Sequence, residues 1–371
     1  MSIPKYVTPL VIPPVMNNAG RDDGEYDIAV RQFKQQILPG GIWDALSGRS
    51  DGFPATTIWS YGPKADPVPD GSGITGDAID VGVAPAPNSQ FNYPAYTMEN
   101  IKDQKTVVNW INDLVDADGN ALPHLFAVDQ SLHWTNPVAD CESGEVRTDC
   151  AGNSAAPYTG PVPIVTHVHG AHVGASGDGY TEAWWLPDAN NITCVDRDPD
   201  TGTPVTTPTG LDAATGVWNV VCEGTIANQL TNKKGIVVNH TNNPDLENAG
   251  QGAARFGYPN DQPSTTLWYH DHSLGMTRLN VMAGPAGFWL IRDSAGVGGE
   301  TGLAAGMVLP GPAPAAGEDL IETNVTGRHN YREIPIVIQG RSFNTDGSLF
   351  YPDNRAFFEG LNVKGTDPTT G

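Results

Sequence analysis

Apolar and polar residues alternate in short bursts along this chain, and turn residues separate the bursts. "TTIWSY" (56–61), "TVVNWIND" (106–113), "VPIVTHVHG" (162–170), "TTLWYHDH" (265–272), "AGFWLIRD" (286–293) and "EIPIVIQG" (333–340) are rich in β-branched and aromatic residues. Several of them keep a period of two, so each is predicted to be a strand. No long stretch carries the 3.6-residue apolar period of an amphipathic helix. Many short strands joined by loops predict an all-β fold, a Greek-key sandwich or barrel.

Two segments break the pattern. Residues 187–264 are polar, carry two cysteines and read as a long insertion. Residues 294–330 are rich in Gly, Ala and Pro and read as a linker. The predicted organisation is a first domain over 1–293 that includes the insertion, the linker, and the start of a second domain over 331–371. The last piece has roughly 40 residues, a size at which a domain rarely folds alone.

Composition supports the β reading. Glycine (43) and proline (31) are plentiful among 371 residues, and charged residues make up only 17%. The net charge of −22, from 42 acidic and 20 basic residues, excludes a phosphate-binding surface and with it a nucleic-acid partner. No apolar run reaches the length of a membrane span, so no membrane partner is expected. The N-terminal "MSIPKYVTPLVIPPVM" is too broken by proline to be a signal peptide. The chain is therefore either cytoplasmic or already processed. Cys141, Cys150, Cys194 and Cys222 lie in polar, turn-rich surroundings, with no C-x-x-C pair and no histidine neighbour. Loop disulfides are expected, which favours a secreted or cell-surface location, and three connectivities are open. Asn191-Ile-Thr, Asn239-His-Thr and Asn324-Val-Thr match the glycosylation pattern.

Candidate chemistry comes from the histidines. Four of the nine form two identical patterns, His167-Val-His169 and His270-Asp-His272, each at the end of a predicted strand. Residues i and i+2 of a strand share a face, roughly 6.5–7 Å apart. Each pattern therefore aims two imidazoles the same way, and two such strands side by side would converge four. One H-x-H is commonly an ordinary packed or surface feature; two among nine histidines point to a metal site. A mononuclear zinc site would need three or four of these ligands, while a multinuclear cluster could use all four.

"THVHGAHV…SGDGYTEAWW" together with "YPN…LWYHDHSLGMTRLNVMAGPAGFWLIRD" resembles the first domain of multicopper oxidases, in the branch of bacterial laccases, bilirubin oxidases and phenoxazinone synthase. "KYVTPLVIPPVM" and "HLFAVDQSLHWTNP" resemble that branch's N-terminal lead and the segment before its first copper motif. "REIPIVIQGRSFNTDGSLFYPD" looks like the opening of its second domain. The likeness runs from about Lys5 to about Asp353, with a gap across 187–264. It implies cupredoxin-like domains and copper as cofactor. His167 would bind the type 2 copper, His169 and His270 one copper of the type 3 pair, and His272 the other. These are half the ligands of a trinuclear cluster that reduces dioxygen to water. Asp178 stands at the place of an acid that helps deliver protons there; as a residue of "GDGY" it also suits a plain turn.

The resemblance implies a laccase-like oxidase that takes single electrons from phenols or aromatic amines. A manganese-type metal-ion oxidase and a non-redox copper or zinc protein are the alternatives. The remaining motifs of such an enzyme, H-P-x-H-x-H and H-C-H-x-x-x-H, do not occur in this chain. The type 1 copper is thus expected on a C-terminal segment or a second chain, as a necessary partner beside dioxygen and a small reducing substrate. Gly340 stands where relatives carry an acid. His172, out of register after a glycine, is read as a loop residue. His124 and His133 are read as structural, His240 and His329 as loop residues, and Trp268 and Tyr269 as core.

Overall fold

A computed structural model describes residues 13, 15–16, 24–38, 53–65, 91–129, 132, 158, 160–175, 177–181, 184–196, 220–224, 252–293 and 335–353. For 193–196 and 220–224 only the strand path is described. The elements are β1 (Glu25–Gln35), β2 (Thr56–Pro63), β3 (Met98–Ile101), β4 (Thr106–Asn112), β5 (Thr166–His169), β6 (Ile192–Asp196), β7 (Val220–Gly224), β8 (Ala253–Tyr258), β9 (Thr265–Asp271), helix α1 (Thr277–Ala283), β10 (Ala286–Arg292), β11 (Ser342–Phe343) and β12 (Leu349–Phe350).

The strands form two four-stranded sheets, β2-β1-β4-β8 and β3-β10-β9-β5, plus the hairpins β6-β7 and β11-β12. Neighbours in a sheet are mostly distant in sequence, as Greek-key connections require. The fold is all-β, as expected. Inward residues of both sheets make the core. Tyr61 of β2 and Trp110 of β4 meet Tyr269 of β9, with ring centroids 5.1–5.5 Å apart. The Tyr61 hydroxyl is hydrogen-bonded to that of Thr166 on β5 at 3.1 Å. The first sheet therefore packs on one face of β5 and β9, which leaves the other face of those strands for the histidines.

Five predicted strands are present; the sixth is not. Residues 335–340, the described part of "EIPIVIQG", form no strand, and Ile338 is 95% exposed. An apolar run makes a strand only where a neighbouring strand accepts its backbone bonds, and among the described residues none lies beside it. The segment is instead tied back by side chains: the Tyr93 hydroxyl donates to Gln339, and Arg341 Nη2 donates to the Val281 carbonyl at 3.0 Å. Gly340 borders open space.

The insertion is shorter than its composition suggests. β8, within 187–264, is an edge strand of the first sheet and pairs with β4 from Thr106↔Tyr258 to Ile111↔Ala253. Cys194 and Cys222 lie in strands rather than loops, directly opposite each other in the β6-β7 register. Cys141 and Cys150 lie outside the described residues, as do the linker, His133, His240, His329, Asn239 and Asn324. The Asn191 side chain serves the fold, accepting the Ala121 amide at 2.9 Å. Among the described residues no helix is long and apolar enough to cross a membrane.

Candidate metal centre

β5 and β9 are antiparallel neighbours, and their register sets His167 directly opposite His270. Directly opposed residues share a face, and so do residues two apart along one strand. His169 and His272 therefore join the same face. His272 lies just past β9, where its amide donates to the Val165 carbonyl at 2.6 Å. The four rings form one cluster. His167 is 5.5, 5.6 and 5.2 Å, centroid to centroid, from His169, His270 and His272. His270 is 5.6 Å from both His169 and His272.

Hydrogen bonds select the nitrogens. His167 Nδ1–H donates to the Asp178 carbonyl at 2.5 Å, and His270 Nδ1–H donates to the Asp271 carbonyl at 2.7 Å. That leaves the lone pair of each ring on Nε2. His270 Nε2 stands 3.3 Å from His169 Nδ1. Two nitrogens each about 2.0–2.1 Å from one tetrahedral ion would be separated by about 3.3 Å. One nitrogen from each of His167, His169 and His270 falls within 4.8 Å of the others, so the three could hold a metal ion. His272 Nδ1 is buried without a hydrogen-bond partner, the state of an imidazole whose partner is not protein. This donor set suits copper, which imidazole nitrogens bind well.

Burial disfavours protonation of two of the rings. Burial pushes the His270 ring down to about 4, its three histidine neighbours adding to the effect. Burial also lowers His167, with His272 and His169 on the same side and Asp178 opposing. The Asp178 carboxylate lies 3.4 Å from His167 Nδ1 and is itself half exposed, so it bridges the ring and solvent. The loop reaches this position through Gly179, whose φ of +81° belongs to glycine and where a β-carbon would strike the Thr166 carbonyl.

Trp268 departs from the sequence expectation. It is 39% exposed rather than core, and it stacks on His270 at 4.0 Å and on His169 at 5.2 Å. Its position two residues before His270 puts it on the histidine face. Tyr269, on the opposite face, is fully buried as expected. His172 pairs with Asp261 at 2.7 Å on the surface, away from the four rings.

His124 is structural, with more to do than sequence suggested. Its Nδ1 accepts the Phe126 amide at 3.0 Å, so Nε2 carries the proton and donates to Asn280 Oδ1 at 2.9 Å. Burial lowers its ring to about 4, although both hydrogen bonds favour a higher value. An unfolded histidine binds a proton near pH 6.5, whereas native His124 does so only near 4. Between those values the unfolded state holds more protons, so stability falls as pH drops from about 6.5 to 4. Chemical denaturation across that window should show this slope, and a His124→Gln protein should show less of it.

No family profile matches the chain. Among curated proteins, a laccase from Bacillus stratosphericus is 28% identical over 259 residues, covering 70% of this chain and 30% of the laccase. A laccase from Haloferax volcanii is 27% identical over 359 residues, 95% of this chain and 37% of that protein. The chain is thus similar in sequence to curated laccases. It spans about a third of the length of these curated relatives. Among solved structures, multicopper oxidase McoA from Aquifex aeolicus is 12% identical, covering 93% of this chain and 38% of its own, with a TM-score of 0.38. The overlap at that score is partial and decides nothing by itself. In this chain all four histidines of the two H-x-H patterns cluster on one sheet face.

Proposed function

We propose that the chain supplies half of the copper ligands of a laccase-like multicopper oxidase, which takes single electrons from phenolic or aromatic-amine substrates and reduces dioxygen to water. The observation that carries this reading is the β5–β9 register, which converges four imidazoles. His167 would hold a type 2 copper, His169 and His270 one copper of a type 3 pair, and His272 the other. Copper held by such rings supplies one-electron redox chemistry that no side chain provides. The protein's own part is to keep the ring nitrogens unprotonated, to fix their directions, and to bring protons. Asp178 suits the delivery of protons, because its carboxylate borders both His167 and water. Positioned proton transfer of this kind contributes roughly 10²–10⁴-fold in rate. Trp268 covers one flank of the cluster and limits water there. The remaining ligands and the type 1 copper belong to a C-terminal segment or second chain, and an extracytoplasmic location suits the paired cysteine strands.

Three histidines around one point also describe a mononuclear zinc site, so metal content decides between the two. The expected result is several coppers per complete protein and an oxidase activity. Replacing His167 by alanine should remove the type 2 signal in electron paramagnetic resonance while the protein stays folded. An unchanged type 2 signal at full copper loading rejects the assignment, and a single tightly held zinc rejects the oxidase.

A further inference from the structure

Behind the histidine face lies a buried polar chain. The Asp271 side chain points away from the cluster, between His270 and His272 in sequence, and the residue is fully buried. Its carboxylate receives four hydrogen bonds, two on each oxygen. Oδ1 accepts the Val165 amide at 2.8 Å and the Ser273 hydroxyl at 2.8 Å. Oδ2 accepts the Ser273 amide at 3.1 Å and Asn280 Nδ2 at 2.8 Å. Asn280 Nδ2 also donates to the Pro163 carbonyl at 3.0 Å, and its Oδ1 receives the His124 proton.

These bonds run to particular places. Val165 stands two residues before His167, and Pro163 two before Val165. Ser273 follows His272, and Asn280 belongs to α1. One carboxylate therefore ties the start of β5, the end of β9 and the helix together at the level of both H-x-H patterns. A buried carboxylate without full hydrogen bonding is costly, so the four donors and their strands must come together for Asp271 to be accommodated. That requirement sets the β5–β9 register independently of any ion.

We propose that Asp271 is a positioning residue, which with Asn280 and His124 locks the two histidine pairs into ligating geometry from the opposite face of the sheet. The consequence for metal binding rests on the proposed function; the ring geometry does not. The Asp271 carboxylate bonds to no histidine ring; it acts through the backbone of Val165 and Ser273 and through Asn280. Outer partners of this kind typically change metal affinity by about 10–100-fold.

The test uses the whole protein, labelled at histidine for nuclear magnetic resonance and titrated with Cu(II). Asp271→Asn keeps the shape but sets an amide NH2 against buried donors. In the metal-free Asp271→Asn protein, the through-space contacts between the His167 and His270 rings should disappear and the Val165 amide should lose protection from exchange. Its Cu(II) affinity should fall about 10–100-fold, with an altered copper hyperfine pattern. Asn100→Ala is the control. It removes a buried hydrogen-bonding residue on β3, two strands away from β9, and should leave the ring contacts and copper signal unchanged. Should Asp271→Asn fail to fold, Asn280→Ala removes one donor and leaves the carboxylate; a weakening of about tenfold is then expected. Ring contacts retained in either folded variant overturn the proposal. If the wild-type protein binds no copper, the proposed function fails while the metal-free ring contacts still decide this inference.

Discussion

A His270→Ala protein should lose copper far more severely than any variant outside the four rings. His270 is the hub of the cluster: it lies 5.6 Å from each of the other three imidazoles and under the Trp268 indole at 4.0 Å. Its lone pair sits on Nε2, 3.3 Å from His169 Nδ1, because Nδ1–H is committed to the Asp271 carbonyl. Removing it takes away a ligand and opens the space that keeps the remaining rings apart. The drop in Cu(II) affinity should exceed the roughly 100-fold that marks the upper range for outer-partner losses. The metal-free protein should remain folded, since the ring's bond to the backbone reaches only the neighbouring residue and joins no distant segments. Competitive copper titration, with circular dichroism to confirm folding, measures both. Affinity within about threefold of wild type would remove His270 from the ligand set, because loss of a true ligand exceeds even the outer-partner range.

The second large effect falls on stability. Trp110 is fully buried where the two sheets meet, packed against Tyr61 and Tyr269. Its indole N–H donates to the Tyr258 hydroxyl at 2.9 Å. Trp110→Ala opens a cavity, and such changes cost about 3–5 kcal/mol. It also strips a buried hydroxyl of its donor, which adds to the loss. Native proteins have only about 5–15 kcal/mol to lose. For a domain of this size the melting temperature should fall by roughly 6–20 °C. Because Trp110 supports Tyr269, the neighbour of His270, the variant should also bind copper more weakly. Thermal denaturation by calorimetry tests this, and a shift under about 3 °C would show that Trp110 does not hold the sheets together.

Much of this protein is legible one residue at a time. A strand's two-residue period follows from backbone geometry alone, so "TTIWSY", "TVVNWIND", "TTLWYHDH" and "AGFWLIRD" reveal β2, β4, β9 and β10, and each H-x-H pattern reveals two imidazoles on one side of a strand. β1 and β8 are less legible: their sequences mix charged residues with apolar ones, and burial there is conferred by neighbouring strands. "EIPIVIQG" shows the converse, an apolar run without strand structure, because pairing is a property of two segments.

Register belongs to the same class. That His167 faces His270 rather than Trp268 depends on hydrogen bonds between segments a hundred residues apart. A slip of one residue would send one pair to the far side of the sheet. The four bonds to Asp271 and the exposed, stacked position of Trp268 likewise exist only once both sheets have closed. Sequence by itself determined the strands and the kind of ligand they carry, because both are local. Tertiary structure alone decided that the imidazoles meet, because convergence is set by long-range pairing energies that no single segment contains.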